Sequence, residues 1–223
     1  MNSRKRTNLI IIVMMIISLL GLVLVYPSLP DIIPTHWGPD GVVDGTGPKG
    51  MLFFLWAVIG FGNLIMLFAE KIDPRGENYA KFSKVFEIFR LVFTAVMTLV
   101  LAVNVYFVFN PGALNMNKIM LPMLGVMFMV MGNYMPKVKH NYTFGIKTPW
   151  TLASENVWNK THRMSGPVWV VGGLLTAACG FIEGGLAAIT MTAVLVVMVV
   201  IPMVYSYFEF KKEKEGARNE ENS

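Results

Sequence analysis

The chain has little cysteine and little charge. Its 223 residues include one cysteine, Cys179, which excludes an intramolecular disulfide and a metal cluster built from several thiolates. Charged residues make up only 15% of the sequence, whereas 54% are hydrophobic and the mean hydropathy is +0.54. A chain this apolar and of this length leaves little room for a separate water-soluble domain beside its membrane-spanning segments.

Six apolar runs can be distinguished, each suited to a membrane core that is about 30 Å thick. The last apolar stretch, residues 167–208, is about twice as long as one crossing requires and must therefore turn back. Glu183 beside Gly184 and Gly185 marks that turn, because a carboxylate at the bilayer centre is costly and glycines favour a turn. We therefore predict an all-α, polytopic bundle of six transmembrane helices. The first four cover residues 9–25, 51–69, 88–109 and 119–135.

Positive charge is scarce on one side of this predicted bundle. Only Lys49 and Lys118 fall there, whereas the other 17 of the 19 Lys and Arg residues fall on the opposite side. Short loops rich in Lys and Arg stay in the cytoplasm, so both termini are predicted to be cytoplasmic. The same patches account for the net charge of +5, so we expect no direct contact with nucleic acid.

The predicted organisation has three regions. Residues 1–115 form an N-terminal membrane region of three helices. Residues 116–210 form a C-terminal membrane region of three helices with an additional interfacial helix on the inner side, and residues 211–223 form a disordered cytoplasmic tail. Small residues at every third or fourth position predict close helix contact within the chain, with a homo-oligomer as the alternative. They are Gly173, Ala177, Gly180 and Gly184.

The segment between the first two runs is rich in proline and glycine. These residues predict an ordered loop on the outer side without regular secondary structure. His36 with the nearby Asp31, Asp40 and Asp44 is compatible with a metal site. The alternative places Trp37 at the membrane interface while the acids face water. The candidate ligand-facing residues of this loop are Pro30, Pro34, His36, Trp37, Asp40 and Asp44.

The first inner loop, from Lys71 to Tyr79, is predicted to be a solvated connector. Further along, Glu87 and Arg90 are three residues apart, where they can form an ion pair or reach the lipid boundary. No series of charged residues runs through the apolar spans. This absence argues against an ion-coupled transporter.

The second inner loop, residues 132–167, combines polar, aromatic and basic residues. Thr148 before Pro149 predicts the start of a helix, which would reach about Met164 and lie in the inner interface. Its aromatic flank would carry Trp150, Val157, Trp158 and Thr161, and its opposite flank would carry Glu155, Asn159 and His162.

The polar residues of this loop also suggest an enzyme. His140, Glu155 and His162 could bind a metal ion at the inner surface, although their spacing differs from the His-Glu-x-x-His motif. The more common role of such residues is to form hydrogen bonds in loops and at helix ends. The two hypotheses remain open at this point.

Two motifs in the chain resemble known families. The outer segment resembles the domain of unknown function DUF1648, through Leu29, Pro30, Ile33, Pro34, Thr35, His36, Trp37, Gly41 and Asp44. The later segment resembles the SdpI family of bacterial immunity proteins. It does so through Gly132, Asn133, Tyr134, Pro136, Asn141, Gly145, Lys147, Thr148, Pro149, Trp150, Thr151, Ser154, Val157, Trp158, Thr161, His162 and Gly166.

The resemblance implies a multi-pass protein of the bacterial cell membrane that protects its cell against a secreted, membrane-active toxic peptide. In the best-known members, the same protein also captures a transcriptional repressor at the inner face. We therefore expect no enzymatic activity, no cofactor and no metal; the alternatives are a metal-dependent membrane enzyme and a structural membrane partner. The residues expected to form the inner motif or to bind the inner partner are Asn133, Pro136, Asn141, Gly145, Thr148, Trp150, Ser154, Glu155, Trp158 and His162.

Overall fold

The computed structural model describes residues 3–113, 115–182 and 185–221. Over these residues it contains long α-helices and one two-stranded antiparallel sheet. The elements in chain order are α1 (Ser3–Val25), β1 (Ile32–Trp37), β2 (Val43–Pro48), α2 (Met51–Ile72), α3 (Tyr79–Phe109), α4 (Asn117–Tyr134), α5 (Pro149–Ala153), α6 (Glu155–Cys179) and α7 (Gly185–Glu221).

The fold is a helical membrane bundle. Among the described residues, five helices, α1, α2, α3, α4 and α7, are long and apolar enough to cross a bilayer. Large apolar side chains cover the outside of the bundle, as expected where lipid replaces water as the solvent. Examples of these exposed side chains are Leu24, Phe54, Phe61, Phe181 and Ile189.

Contacts between the connecting segments define two ends of the bundle. The hairpin end carries β1 and β2, whose tip is hydrogen-bonded to Asn115 and Asn117 at the start of α4. The opposite end, here called the motif end, joins residues 70–84, 134–165 and the second half of α7. Of the 17 basic residues grouped by the sequence, 13 lie in these segments of the motif end and Arg4 contacts Glu70 there, whereas Lys49 and Lys118 belong to the hairpin end.

The proline-rich outer segment forms a β-hairpin, so the prediction of a loop without regular secondary structure was wrong, while the described chain remains mostly helical. Glycine makes the pairing of the strands possible, because a Cβ at Gly45 would lie 2.9 Å from the Cβ of His36. Gly41 in the connecting turn has a φ of +76°, which glycine adopts without strain. Ile33 points into a cluster with Leu22, Leu52 and other apolar residues, and this burial fixes one face of the hairpin.

The predicted interfacial helix is absent as a separate element. The helix that begins after Thr148 ends at Ala153, because Ser154 adopts an extended conformation with φ −137° and ψ 125°. A new helix, α6, begins at Glu155 and continues past Pro167 to Cys179. The inner segment and the following apolar run therefore form one continuous rod.

Small residues bring α4 and α6 into close contact, as predicted. A Cβ at Gly132 would lie 2.7 Å from the carbonyl oxygen of Gly166, and a Cβ at Gly125 would lie 2.7 Å from the backbone nitrogen of Ala177. Glycine lets two helix backbones approach at these points. α6 ends at Cys179 and α7 begins at Gly185, while the predicted turn residues Glu183 and Gly184 lie outside the described residues.

The C-terminal segment is helical, which corrects the prediction of a disordered tail. α7 extends to Glu221, and its charged part carries a pair between Lys211 and Glu215 with a nitrogen to oxygen distance of 3.8 Å. Glu213 accepts hydrogen bonds from the side chains of Ser154 at 3.0 Å and Asn156 at 2.7 Å. Opposite charges one helical turn apart and contacts to α6 thus stabilise a segment whose composition suggested disorder.

Candidate functional site

The base of the hairpin is fixed by Lys49. Its ammonium group donates a hydrogen bond of 3.0 Å to the carbonyl oxygen of Leu29 and lies 3.2 Å from a carboxylate oxygen of Asp31. It also lies 5.0 Å from the ring centroid of Tyr26, within range of a cation–π interaction. One of the two cations of the hairpin end therefore joins α1 to the hairpin.

The tip of the hairpin is held by two asparagines. Asn115 donates a side-chain hydrogen bond of 2.6 Å to the carbonyl oxygen of Asp40, and Asn117 donates one of 2.9 Å to that of Pro39. The Asp40 carboxylate accepts the backbone N–H of Val42 at 3.0 Å. Because both ends of the hairpin are anchored, it presents a defined surface.

The candidate ligand-facing residues of the hairpin do not form a metal site. His36 and Asp44 are paired, with 2.5 Å between Nδ1 and Oδ1, and their side chains are 73% and 51% exposed. Asp31 is paired with Lys49, and Asp40 faces its own turn. Among the described residues, no three His, Cys, Asp or Glu side chains form a group that could hold a metal ion.

Trp37 packs against the bundle. Its ring meets that of Phe107 edge-on, with 6.0 Å between centroids, in an apolar cluster with Val103 and Met116. Trp37 thus contacts α3 near its end, and its anchoring in the membrane interface stays a prediction. Of the other candidates, Pro30 is exposed and Pro34 is half-buried in β1.

A groove of about 350 Å³ opens beside the hairpin tip. His36, Trp37 and Pro39 form one wall. The first turns of α4 and α7 form the others, with Asn117, Leu121, Ala187, Met191, Thr192 and Leu195. The groove thus combines aromatic, apolar and hydrogen-bonding groups at the hairpin end of the bundle.

At the motif end, Trp158 lies between two histidines. The ring centroid of His162 is 4.0 Å from that of Trp158, and the centroid of His140 is 5.0 Å away on a nearly parallel plane. All three side chains have an exposure of 0%. The predicted flanks of the inner helix were therefore wrong for His162, which shares the buried face of Trp158, while Glu155 and Asn159 face outwards.

His162 uses both ring nitrogens. Nδ1 lies 2.9 Å from the carbonyl oxygen of Trp158, and Nε2 accepts the backbone N–H of Ile146 at 3.0 Å. This pair of contacts requires the neutral tautomer with the proton on Nδ1. Burial lowers the pKa of His162 to about 4, against its ordinary value of 6.5, so the ring is neutral near pH 7. A neutral ring with both nitrogens occupied has no free lone pair for a metal.

The loop before α5 closes over this stack. Trp158 Nε1 donates a hydrogen bond of 2.9 Å to the carbonyl oxygen of Val138. Gly145 has a φ of +120°, and a Cβ there would lie 2.6 Å from His162 Nε2 and 3.0 Å from the Trp158 ring. Only glycine satisfies both the backbone conformation and the available space.

Asp73, in the first inner loop, organises the loop after α4. Its carboxylate accepts the backbone N–H groups of Tyr142 at 2.8 Å and Thr143 at 3.0 Å, and also the Thr143 hydroxyl. The N–H of Arg75 adds a bond of 2.8 Å. Burial raises the pKa of Asp73, but these hydrogen bonds outweigh it and hold the pKa below its ordinary value. The predicted solvated connector is thus a structural support.

Asn141 has a similar role on the other side of this loop. Its oxygen accepts the backbone N–H groups of Thr143 at 2.9 Å and Phe144 at 2.6 Å. Its nitrogen donates to the carbonyl oxygens of Lys139 and Phe144, each at 2.8 Å. Because it is fully buried and satisfied, Asn141 shapes the loop and cannot meet a partner directly.

His140 connects the first inner loop to the stack. Its Nδ1 contacts the guanidinium of Arg75, and its carbonyl oxygen accepts a hydrogen bond of 2.7 Å from Asn78. Burial, together with the charge of Arg75, lowers the pKa of His140. A cation on Nδ1 of His140 and the two occupied nitrogens of His162 do not support the alternative metal site of His140, Glu155 and His162.

A chain of hydroxyl groups joins the motif to α7. Thr148 and Thr151 form a capping box at the start of α5, and the Thr148 hydroxyl lies 3.0 Å from that of Ser206. Nearby, Trp150 meets Tyr207 edge-on at 5.2 Å. Ser154 caps α6 through the N–H of Val157 at 3.2 Å.

The predicted inner residues divide into accessible and buried ones. Asn133, Pro136, Gly145 and Glu155 are exposed, and Trp150 and Ser154 are half-buried. The candidates that hold the loops together are Asn141, Gly145, Thr148, Trp158 and His162. Sequence reasoning missed Asp73, Asn78 and Tyr79, although an Asp directly before proline is a known turn-forming signal.

Comparisons with known proteins match two separate segments of the chain. Residues 137–206 match the SdpI/YfhL protein family, and residues 11–61 match the domain of unknown function DUF1648. We call residues 137–206 the SdpI-family region and residues 11–61 the DUF1648 region. Both resemblances seen in the sequence are confirmed. No solved structure gives a significant match.

The SdpI-family region begins at Lys137, next to the carbonyl that binds Trp158, and ends at Ser206, which contacts Thr148. The DUF1648 region covers most of α1, the hairpin and the start of α2. The chain is also 25% identical over 215 residues to the immunity protein SdpI of Bacillus subtilis (strain 168), covering 93% of this chain and 97% of the relative. Together with the apolar helices, this similarity identifies a multi-pass protein of the cell membrane.

Proposed function

We propose that the protein is a membrane immunity protein, which protects the cell that makes it against a secreted, membrane-active toxic peptide. The observation that carries this proposal is the similarity to an immunity protein over 93% of the chain, from the hairpin to α7. The protein has no catalytic role in this proposal. The immobilised histidines of the motif end and the lack of a metal-binding group among the described residues favour a structural role for the polar residues.

The proposed topology has six spans with both termini in the cytoplasm. α6 supplies the sixth span through the part that packs along α4, from Gly166 beside Gly132 to the helix end at Gly180 beside Asn117, while its polar first turns remain at the inner surface. The hairpin end then faces outwards and the motif end faces inwards. The asymmetry of 17 to 2 in Lys and Arg supports this orientation.

The toxic peptide would engage the hairpin and the groove beside its tip. The exposed pair of His36 and Asp44 offers polar contacts, and Trp37 with Leu121 offers apolar ones. A membrane-active peptide has both kinds of group. Binding here would intercept it where it reaches the membrane surface.

The inner face would bind a cytoplasmic partner such as a transcriptional repressor. Its accessible candidates are Asn133, Pro136, Trp150 and Glu155. α7 provides a physical connection between the ends, because Met191 lines the outer groove and Ser206 contacts the motif. Signalling requires that α7 can adopt two positions and that the bound peptide prefers one of them. It also requires that the inner face differs between the two positions.

Immunity is tested by deleting the gene and exposing the cells to a panel of secreted membrane-active peptides. We expect sensitivity to at least one peptide in the deletion strain and restored survival when the intact gene is supplied again. Unchanged survival with every peptide that kills related cells would contradict the proposal.

Topology is tested separately by cysteine labelling of intact cells. Cys179 is first replaced by Ala, and single cysteines are then introduced through His36→Cys and Glu155→Cys at exposed positions. A membrane-impermeant maleimide should label position 36 in intact cells and position 155 only after lysis. Labelling of both positions in intact cells would disprove the six-span arrangement.

A further inference from the structure

A second groove lies at the motif end, between the start of α3 and the end of α4. Its volume is about 640 Å³. α3 contributes Lys81, Phe82, Lys84 and Ile88, and the segment that ends α4 contributes Tyr134, Pro136, Lys137 and Lys139. We refer to it as the lysine groove.

The lysine groove concentrates positive charge that no acid neutralises. No carboxylate lines it, and within the described part of the chain Lys84 and Lys139 have no acidic partner. Lys81 donates a hydrogen bond of 2.7 Å to Asn78, and the Lys137 ammonium lies 5.0 Å from the ring centroid of Tyr134. These two contacts are with neutral groups, so the charge of all four lysines remains available.

Some other cations at the same end are paired. Arg4 is 2.9 Å from Glu70, and Lys160 is 2.9 Å from Glu209. The lysine groove differs from these pairs because four lysines line one concave surface without an acid, which raises the affinity of this surface for anions.

The walls of the lysine groove are apolar. Phe82 and Val85 are buried beneath it, while Ile88 and Tyr134 are half-buried and lead down α3 and α4 towards the membrane-facing part of the bundle. A ligand that fits must carry negative charge at the level of the lysines and a hydrocarbon portion below them. A phospholipid has this distribution of charge and hydrocarbon.

We propose that the lysine groove binds the phosphate headgroup of an anionic phospholipid. The lysines act as point charges around the phosphate, and the apolar walls contact the beginning of an acyl chain. This site depends only on the membrane location of the chain, and its existence is independent of the proposed immunity.

The test uses purified full-length protein in a neutral detergent. The unfolding temperature is measured while dioctanoyl phosphatidylglycerol is added, with dioctanoyl phosphatidylcholine and inorganic phosphate as separate additions. We expect saturable stabilisation by the anionic lipid and none by the other two at equal concentrations. Equal stabilisation by the two lipids, or by inorganic phosphate alone, would overturn the proposal.

Variants locate the site. Lys84→Gln with Lys139→Gln should weaken the apparent affinity for phosphatidylglycerol by about tenfold or more, because each lysine near an anionic surface contributes to binding. The matched control, Lys211→Gln with Lys214→Gln, removes the same charge at the same end but outside the groove. Lys84→Arg with Lys139→Arg should keep the affinity, which shows that the fold tolerates change at both positions. Equal weakening in the groove and control variants would disprove a specific site.

Discussion

The two ends of the bundle hold their loops in different ways. At the hairpin end, a few contacts to backbone carbonyls anchor an exposed β-hairpin, and the His36–Asp44 pair faces outwards. At the motif end, side chains with no exposure, including Asn141, Trp158 and His162, form hydrogen bonds with the backbone of the loop that covers them. The hairpin end therefore offers surface groups that can change without loss of the fold, whereas residue identity at the motif end is fixed by packing.

This difference affects how the inner motif is interpreted. The most recognisable residues of the SdpI-family region are explained by their roles in the fold: Gly145 by space, His162 by two hydrogen bonds, and Thr148 by a helix cap. A partner at this end would contact the less characteristic exposed positions, such as Pro136 and Glu155. The comparison predicts that substitutions at the motif end mainly affect stability, while those at the hairpin end mainly affect function.

The largest expected effect comes from Gly145→Ala. The backbone conformation alone disfavours alanine, and the added Cβ would lie 2.6 Å from His162 Nε2. We expect a loss of about 2 to 4 kcal/mol, which combines backbone strain with overpacking. The measurement is thermal unfolding of the purified protein, together with its level in the membrane.

Gly112→Ala is the matched control for this substitution. Gly112 also has a positive φ, of +77°, but a Cβ there would meet nothing within 4 Å. The expected loss is about 1 kcal/mol from backbone strain alone. If the two variants were equally stable, the close packing of the loop over His162 would be disproved.

The second prediction concerns the stability of the fold at low pH. The unfolded chain takes up a proton at His162 near pH 6.5, whereas the folded chain does so only near pH 4. The stability from this group is therefore complete above pH 6.5 and decreases as the pH falls towards 4, by about 3 kcal/mol in total. His140, whose pKa is also lowered, changes stability in the same direction. Unfolding temperatures measured at pH 7 and pH 4.5 should show the loss.

His162→Gln should reduce the difference between the two pH values, and Thr46→Ser, an exposed substitution in β2 that removes no titratable group, should leave it unchanged. Each variant is compared with itself at the two pH values, so a uniform loss of stability cancels. Asp73, with a pKa held below its ordinary value of 3.8, contributes stability that is lost only below this window. An unaltered pH dependence in His162→Gln would show that the ring is accessible to protons in the folded state.

A smaller effect separates the two tryptophans of the motif. Trp158→Phe removes the donor to the carbonyl oxygen of Val138 in a fully buried site, which should cost about 1 to 3 kcal/mol. Trp150→Phe keeps an aromatic ring near Tyr207 at a half-buried site and should cost less than about 1 kcal/mol. Thermal unfolding measures both. An equal loss of stability in the two variants would mean that Trp158 is packed no more tightly than the half-buried Trp150.

The sequence predicted much of the bundle but less of its ends. Long apolar runs determine transmembrane helices because the bilayer leaves few alternatives, so α2 and α4 were located to within three residues, whereas α1 and α3 begin six and nine residues before the predicted runs. The hairpin was missed because proline and glycine disfavour strands in general. Here, Gly45 and Gly47 leave the space that β1 requires, which is a property of the pair of strands.

The motif end was only partly predictable for a related reason. A capping signal at Thr148 is local and was found, whereas the hydrogen bonds of Asp73 connect it to Thr143, which is 70 positions away. His162 follows Trp158 by four residues within α6, so helix geometry alone places both on one face, and the prediction of opposite flanks misread that spacing. Long-range pairs such as Asp73 with Thr143 leave weak traces in one sequence.

The smallest effects on stability are expected at the hairpin, where they most directly test the difference between the hairpin end and the motif end. His36→Gln and Asp44→Asn remove an exposed pair, so each should change stability by less than about 0.5 kcal/mol. If the hairpin receives the toxic peptide, both variants should nevertheless lower survival of challenged cells at an unchanged protein level in the membrane. Thr46→Ser, at an exposed position of β2, is the control and should have neither effect. Full protection by the paired variants would place the contact with the peptide elsewhere, because the hairpin itself would still be folded.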